Sequence, residues 1–337
     1  MPDAVIELFQ LGMPWIGHDP FIFTVHHLDN YPPGDDDLGP SVPLYGRQIG
    51  SDFSYIDGWS MYHGERVPGF PQHPHRGFET VTVVRRGYVD HSDSLGATAR
   101  YGEGDVQWLT TGGGIQHSEM FPLLDAEGPN PLELYQIWLN LPPDSKMVPA
   151  YFGMLWSEDI PTVEPAPGVL VDVVIGALDD QKPPSPPPDS WAARPDSDMA
   201  IWVIRLEPGA EWEIPAAPAG LNRTLHCHGG GGVEIGGTVI AKGVGVRLRS
   251  EVPVTLANRG DEVAHFLLLQ GRPIGAPVFQ MGPFVMNSPE ELRQAVDDYR
   301  RTQFGPWPWG GPAHTHPRDE GRFAIHVDGR VERREMG

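Results

Sequence analysis

The feature that most limits the fold is a repeated alternation of short strand-like segments with glycine turns. Between Gly77 and Asn140, the segment ETVTVVRRGYVDHSDS predicts two strands joined near Arg86 and Gly87, and GDVQWLTTGGGIQHSEMF predicts two more around a glycine turn. The pattern resumes from Met199 in MAIWVIRLEPGAEWEI, RTLHCHGGGGVEIGGTVI and VAHFLLL. Strands about 8–12 residues apart are typical of β-sandwiches and barrels, and 41 glycines with 37 prolines favour turns over long helices. We therefore predict an all-β chain of two similar units.

The boundaries of these units follow from composition. The proline-rich segment KPPSPPPDSWAARPDSD, residues 182–198, predicts an extended surface loop. We expect an N-terminal domain over residues 1–150, a C-terminal domain over residues 151–310 and a tail over residues 311–337.

One α-helix is predicted near the C-terminus, in SPEELRQAVDDYRRTQFG. Ser288 is a suitable N-cap, Pro289 suits the first helical position, and Glu291 can close a capping box. Gly305 is expected to end this helix. The order of the turn-rich tail that follows is left open.

Charge and cysteine content limit the partners and the compartment. The chain has 45 acidic and 24 basic side chains, a formal net charge of −21. Such a surface repels phosphate backbones, so no direct nucleic-acid binding is expected, whereas a protein partner is compatible with it.

The single cysteine, Cys227, cannot form an internal disulfide and fits a reducing compartment. With neither a leader-like N-terminus nor an apolar run of about 18 residues, we expect a cytoplasmic chain without a membrane span.

Two short motifs point to a metal site. His73 and His75 are two residues apart in HPHRGFETVTVV, and His117 and Glu119 are two apart in IQHSEM. Alternate residues of an extended chain project to the same side, so two neighbouring strands could aim three imidazoles and one carboxylate at one point. This donor set suits Fe(II), Mn, Ni, Cu or Zn. Glu79 is a competing carboxylate, whose alternative role is a hydrogen bond inside the barrel mouth.

The segments HPHRGFETVTVVRRGYVDHSDSLG, GDVQWLTTGGGIQHSEM and GPFVMNSPEELRQAVDDYR together resemble the pirin family of the cupin superfamily. The resemblance is close from about Pro71 to Leu141 and again from Gly271 to Gly305. It implies two jelly-roll β-barrel domains packed face to face, with one metal in the N-terminal barrel and a degenerate C-terminal barrel.

The resemblance also implies the identity of the site. The metal ligands would be His73, His75, His117 and Glu119, with Fe(II) as the expected metal and Mn, Ni, Cu or Zn as alternatives. Glu119 would act in addition as a catalytic proton acceptor.

Two classes of function follow from this resemblance. The first is a dioxygenase of the quercetinase type, acting on a flat aromatic flavonol and dioxygen. The second is a regulatory protein that binds a transcription factor or a metabolic enzyme according to the state of its metal. Residues 21–70 are unlike the short connection typical of the family and are expected to reshape the pocket entrance.

Other side chains complete the set of candidates. Phe78, Trp108 and Met120 are predicted to line an apolar pocket above the metal. His226 and His228, in RTLHCHGGGG, have no later partner motif, so we predict no second metal there. His314 and His316 in the tail are expected to be solvated.

Overall fold

The computed structural model describes residues 4–336, which form two compact units. The first unit comprises residues 25–157 and 276–336, and the second comprises residues 4–24 and 158–275. Each unit is thus built from two separate stretches of the chain, whereas the domains predicted from the sequence are continuous, with boundaries at residues 150 and 310.

Regular structure in the described residues consists mainly of strands. In chain order they are β1 (Val5–Gln10), β2 (Trp15–Ile16), β3 (Phe21–Tyr31), β4 (Gly69–His75), β5 (Phe78–Arg86), β6 (Tyr88–Asp93), β7 (Thr98–Gly102), β8 (Val106–Thr110), β9 (Ile115–Met120), β10 (Asn130–Asn140), β11 (Tyr151–Leu155), β12 (Thr162–Ala166), β13 (Val169–Ile175), β14 (Ala200–Leu206), β15 (Glu211–Ile214), β16 (Asn222–Gly229), β17 (Val233–Ile235), β18 (Thr238–Ile240), β19 (Val244–Arg249), β20 (Val254–Asn258), β21 (Ala264–Gly271), β22 (Phe279–Met281), β23 (Phe284–Met286), β24 (Arg322–Ile325) and β25 (Val331–Arg334). The α-helix α1 spans Pro289–Thr302, and short 3-10 turns occur at Ile56–Gly58, Pro143–Ser145, Ser157–Asp159, Trp191–Ala193 and Pro195–Ser197.

The first unit encloses its core between two sheets. One sheet has the order β11-β8-β5-β10-β3, and the other has the order β25-β24-β7-β6-β9-β4. Strand β5 lies in the interior of its sheet, and its residues from Phe78 to Val84 are all buried, which suits their alternating Thr and Val side chains. Val84, Tyr101, Ile115 and other apolar side chains of both sheets fill the space between them.

The second unit repeats this plan. Its larger sheet has the order β1-β19-β16-β21-β14-β13-β12, and its smaller sheet has the order β15-β20-β17-β18. Val171, Ile204, Leu225, Leu256 and Phe266 belong to the apolar core that both sheets share. The prediction of an all-β chain with two barrel-type units and a C-terminal helix is therefore confirmed.

Strand pairing explains why the units are discontinuous. Strand β1 at the N-terminus pairs with β19, and β24 in the C-terminal segment pairs with β7. Each chain end therefore completes a sheet whose other strands come from a distant part of the sequence. The tail, whose order the sequence left open, contains two strands.

The helix begins as predicted and ends earlier. Ser288 Oγ accepts a hydrogen bond from the backbone N–H of Glu291 at 3.1 Å, and Pro289 is the first helical residue. The helix ends at Thr302, because Gln303 already adopts a left-handed conformation with φ 53°. Gly305 is therefore not the residue that ends the helix, and the prediction was wrong on this point.

Within the described residues, no helix is both long enough and apolar enough to cross a membrane.

Candidate metal centre

Strands β4 and β9 bring the two histidine motifs side by side. They pair antiparallel, with His73 directly opposite His117. Because alternate residues of a strand share a face, His75 lies on the same face of β4 as His73, and Glu119 lies on the same face of β9 as His117. The predicted convergence of the two motifs therefore arises from the register of one strand pair.

Gly77 lets the chain turn sharply after His75 into β5. Its φ is 86°, a conformation that side-chain-bearing residues rarely adopt. A Cβ at this position would lie 2.0 Å from the carbonyl oxygen of Val285. The glycine after the HPHR motif is therefore required both by the backbone conformation and by the lack of space.

Three imidazoles converge on one point between the sheets. The ring centroids of His73, His75 and His117 are 4.5, 4.7 and 4.8 Å apart in pairs. One nitrogen of each ring lies within 4.8 Å of the other two. Since metal–nitrogen bonds are about 2.1 Å long, two ligands of one ion lie at most about 4.2 Å apart, a distance that small side-chain rotations would reach.

The outward-facing nitrogens orient two of these rings. His73 Nδ1 lies 2.8 Å from the carbonyl oxygen of Pro71, and His75 Nδ1 lies 3.4 Å from that of Pro283. Only a protonated nitrogen can donate to a carbonyl, so Nδ1 carries the hydrogen and Nε2 presents a lone pair to the cluster. This arrangement is the usual one for metal-binding histidines.

The cluster fits a cation. His73 Nε2 and His117 Nε2 are 3.0 Å apart, so two bare lone pairs there would repel unless a proton or a metal ion lay between them. Burial lowers the pKa of His73 to about 4 and the pKa values of His75 and His117 well below the usual range. The imidazoles are therefore neutral at pH 7, which is the form that binds a divalent metal.

Glu119 lies at the edge of this cluster. Its Oε2 is 3.7 Å from His117 Nε2, while the group of mutually close ligand atoms contains the three histidines without it. Thr82 Oγ1 donates to Glu119 Oε1 at 3.2 Å, and Gln136 Nε2 donates to Glu119 Oε2 at 2.6 Å. Burial raises the pKa of this carboxyl group. Its role as a fourth ligand stays a prediction.

Glu79 lies on the other face of β5. Thr82, which contacts Glu119, lies three positions after Glu79 in β5, so the two side chains project to opposite faces. Glu79 is fully buried and accepts a hydrogen bond of 2.7 Å from Thr110 Oγ1. This geometry favours the hydrogen-bonding role of Glu79 over a role as metal ligand.

Of the three predicted pocket residues, one lies beside the histidines. The Phe78 ring is 5.1 Å from the His75 ring. Trp108 on β8 lies opposite Val81 on β5. Its side chain is therefore on the same face of the sheet as Val81, which is the face turned away from Thr82 and the histidines. Met120 packs with Leu38 and Val67 and others, on the face of β9 opposite to His117. The pocket prediction was therefore wrong for Trp108 and Met120.

Trp138, the aromatic residue that stacks on Phe78, was not predicted from the sequence. Their rings are stacked with centroids 4.0 Å apart, and Trp138 is 5.4 Å from the His75 ring. The alternation of Gln136 and Trp138 within LELYQIWLNL was the available signal, since both are partly buried whereas the residues between and beside them are buried.

Two other histidines that were weighed as candidates, His226 and His316, have hydrogen-bond partners nearby. His226 Nδ1 lies 3.1 Å from the carbonyl oxygen of Leu267, and its ring stacks on Trp15 at 5.2 Å. His316 is buried and its Nε2 lies 3.0 Å from Thr98 Oγ1. The prediction that His316 is solvated was wrong, because the tail packs against β7.

Two units of paired β-sheets, one of them holding three convergent imidazoles, define this chain as a two-barrel protein of the cupin class. A family model described as Pirin matches residues 40–139, and one described as Pirin C-terminal cupin domain matches residues 201–305. Human pirin is 34% identical over 249 residues, which are 72% of this chain and 80% of that protein. The chain therefore belongs to the pirin family.

Two further relatives carry the name of an enzyme. A Pseudomonas aeruginosa protein, provisionally named a quercetin 2,3-dioxygenase, is 36% identical over 234 residues, which are 69% of this chain and 79% of that protein. The crystal structure of a quercetin 2,3-dioxygenase from Acinetobacter baumannii matches with a TM-score of 0.70 at 27% identity, covering 90% of this chain and 98% of that one.

Proposed function

We propose that this protein is a metal-dependent dioxygenase of the quercetin 2,3-dioxygenase type, with Fe(II) as its metal. The observation that carries the proposal is the convergence of His73, His75 and His117, whose ligand atoms lie within 4.8 Å of one another. The names of the Pseudomonas and Acinetobacter relatives support the reaction type. The single buried cysteine is consistent with a cytoplasmic location.

The side chains around the histidines suit a flat aromatic substrate. The stacked pair of Phe78 and Trp138 lies beside His75, and Trp138 and Gln136 keep part of their surface accessible. An aromatic face next to a polar group is the usual composition of a small-molecule site. A flavonol ring system would lie against Trp138 with its hydroxyl groups directed to the histidines.

Glu119 is the group that would accept the proton of a substrate hydroxyl. Burial raises the pKa of its carboxyl group, so the carboxylate is a stronger base than an exposed one. The hydrogen bonds from Thr82 and Gln136 keep it in a fixed position beside His117. A substrate hydroxyl directed to the cluster would therefore meet a prepared acceptor.

The metal supplies the remaining chemistry. When bound, a divalent ion such as Fe(II) provides Lewis acidity and the electron transfer that lets a closed-shell flavonol react with dioxygen. His73, His75 and His117 would hold it, with Glu119 as the expected fourth ligand. Mn, Ni, Cu and Zn are compatible with the same donors.

Oxygen uptake tests this proposal. Protein purified without oxygen and loaded with Fe(II) should consume dioxygen only when quercetin is added, and His117→Ala should abolish this consumption. His226→Ala, a change of a buried histidine in the second unit, is the matched control and should retain it. If the metal-loaded parent consumes no dioxygen when quercetin is added, the oxygenase proposal is contradicted and the regulatory alternative is favoured.

A further inference from the structure

The segment between Leu44 and Phe70 is held rigidly by buried polar contacts. Arg47 donates to Asp52 Oδ2 at 2.9 Å and to the carbonyl oxygens of Trp59 and Ile56 at 2.8 and 2.6 Å. Its guanidinium carbon lies 3.4 Å from the centroid of the Trp59 ring. A side chain that combines an ion pair, carbonyl contacts and ring stacking fixes the loop around it.

A second anchor fixes the end of this segment. Tyr62 donates from its hydroxyl group to Asp29 Oδ2 at 2.8 Å, and the backbone N–H of Ser60 donates to Asp29 Oδ1 at 2.9 Å. Asp29 belongs to β3, so the segment is tied to a sheet of the first unit. Side chains that project from it are therefore pre-positioned.

Four rings form a continuous row from the surface to the histidine cluster. The centroid distances are 5.2 Å from Phe53 to His63, 5.7 Å from His63 to Phe70, and 6.4 Å from Phe70 to His73. Phe53 is 55% exposed, His63 is exposed, and Phe70 and His73 are partly buried. The row thus leads inward to the most accessible of the three clustered histidines.

Packing accounts for only part of the outer two rings, because the Phe53 ring contacts the buried Tyr62 ring at 5.6 Å and is still 55% exposed. Tyr62 and Phe121, which contact the Phe70 ring, are buried and belong to the core of the first unit. Phe53 and His63 remain exposed although a rigid loop places them together. Exposed aromatic side chains beside a functional pocket are typical of ligand contacts.

His63 has a defined hydrogen-bonding capacity. Its Nδ1 lies 2.9 Å from the carbonyl oxygen of Gly50, so Nδ1 carries the hydrogen and Nε2 is an acceptor. In the described part of the chain, Nε2 makes no hydrogen bond. A phenolic hydroxyl group is the type of donor that such an acceptor binds.

We propose that Phe53, His63 and Phe70 form an aromatic entrance wall that binds the outer ring of a flat polyphenol while its other end reaches the histidine cluster. His63 Nε2 accepts a hydrogen bond from a phenolic hydroxyl, and the Phe53 ring covers the adjacent face. This inference rests on the proposed function for the location of the reacting end, and it names the residues that select the substrate.

Quercetin binding without oxygen tests the wall separately from turnover. With metal-loaded protein, Phe53→Ala and His63→Ala should each raise the Kd for quercetin about tenfold, the loss typical of one aromatic contact or one hydrogen bond. Tyr45→Ala is the control, because Tyr45 belongs to the same segment and is 88% exposed, and its Kd should equal that of the parent. Metal content, measured by mass spectrometry, should be the same in all four proteins.

The outcomes distinguish the two proposals. If Phe53→Ala and His63→Ala bind quercetin with the same Kd as the parent, or if they lose their metal, the entrance wall is contradicted. This holds even if the parent turns over quercetin. Weakened binding in the wall variants, in a parent that binds quercetin but consumes no dioxygen, would support the wall and contradict the oxygenase. A parent that does not bind quercetin would overturn the wall as well.

Discussion

At the scale of single residues, Glu119 is placed by contacts from the facing sheet. Thr82 on β5 and Gln136 on β10 each donate to one of its carboxylate oxygens, and His117 is 3.7 Å away. Glu79 has the same chemistry but lies on the other face of β5, bonded to Thr110. Strand parity therefore gives the two carboxylates different roles.

We expect Glu119→Gln to weaken metal binding about 10- to 100-fold, because the change removes a negative charge beside the imidazoles. Glu79→Gln should keep the metal, since an amide oxygen still accepts from Thr110. Metal content after dialysis measures both effects. A metal-free Glu79→Gln protein beside a metal-replete Glu119→Gln protein would reverse the assignment.

A second residue-scale prediction concerns His27. This side chain is 2% exposed among the rings of Tyr62, Phe70 and Phe121, and burial lowers its pKa to about 3. The unfolded chain takes up the proton near the ordinary pKa of 6.5, so the stability that neutral His27 contributes is present above that pH. It is lost as the pH falls from about 6.5 towards 3.

His27→Phe should remove this part of the pH dependence. Between about pH 7.5 and pH 5, the free energy of unfolding of the variant should fall by about 2 kcal/mol less than that of the parent. Urea unfolding at the two pH values measures this, and any constant packing difference cancels in the comparison. An equal fall in both proteins would contradict the assignment.

Residue-level prediction succeeded where spacing alone decides the geometry. The two-residue steps from His73 to His75 and from His117 to Glu119 predicted which side chains share a face, because any extended strand projects such residues to one side. That the two strands are neighbours follows from the pairing of β4 with β9, which the spacing does not give. Trp108 and Met120 failed because β8 and β9 are buried on both faces. Their sequences show no alternation that would identify the face turned towards the histidines.

At the scale of elements, Lys146 joins three segments of the first unit. Its side chain is buried, and Nζ donates to Asn140 Oδ1 at 2.6 Å, to the carbonyl oxygen of Gly77 at 2.7 Å and to that of Val285 at 3.1 Å. It thus ties the end of β10 and the middle of β23 to the turn that follows the HPHR motif.

Lys146→Met should lower the free energy of unfolding by about 3 kcal/mol, because three buried oxygens lose the hydrogen-bond donor that Nζ supplies. Lys182→Met, at an exposed position, is the matched control and should change it by less than about 0.5 kcal/mol. Denaturant midpoints measure both. Equal midpoints for the two variants would show that the Lys146 contacts contribute nothing.

Element prediction was most reliable where local chemistry acts. Ser288 caps the helix because its hydroxyl reaches the third residue beyond it, and this depends only on nearby sequence. Strands β24 and β25 were missed because they are short, and because β24, which pairs with β25, joins its sheet through β7, far away in the chain. Long-range pairing of this kind leaves little trace in a local pattern.

At the scale of the whole molecule, the C-terminal segment is an integral part of the first unit. Arg100 on β7 is fully buried, pairs with both oxygens of Asp90, and donates to the carbonyl oxygens of His316 and Pro317 at 2.9 and 2.7 Å. The sequence predicted two units as continuous stretches of the chain, whereas each unit combines two separate stretches. It could not predict the exchange of chain ends, which depends on which sheet edge each terminal strand meets.

The central claim is that the first unit holds one metal through three histidines and that the second unit holds none. Elemental analysis of anaerobically purified protein tests it most directly. We expect about one transition metal per chain in the parent and in His226→Ala, and almost none in His75→Ala or His117→Ala, because water replaces a lost imidazole poorly. Two metals per chain, or equal metal loss in all three variants, would contradict the account.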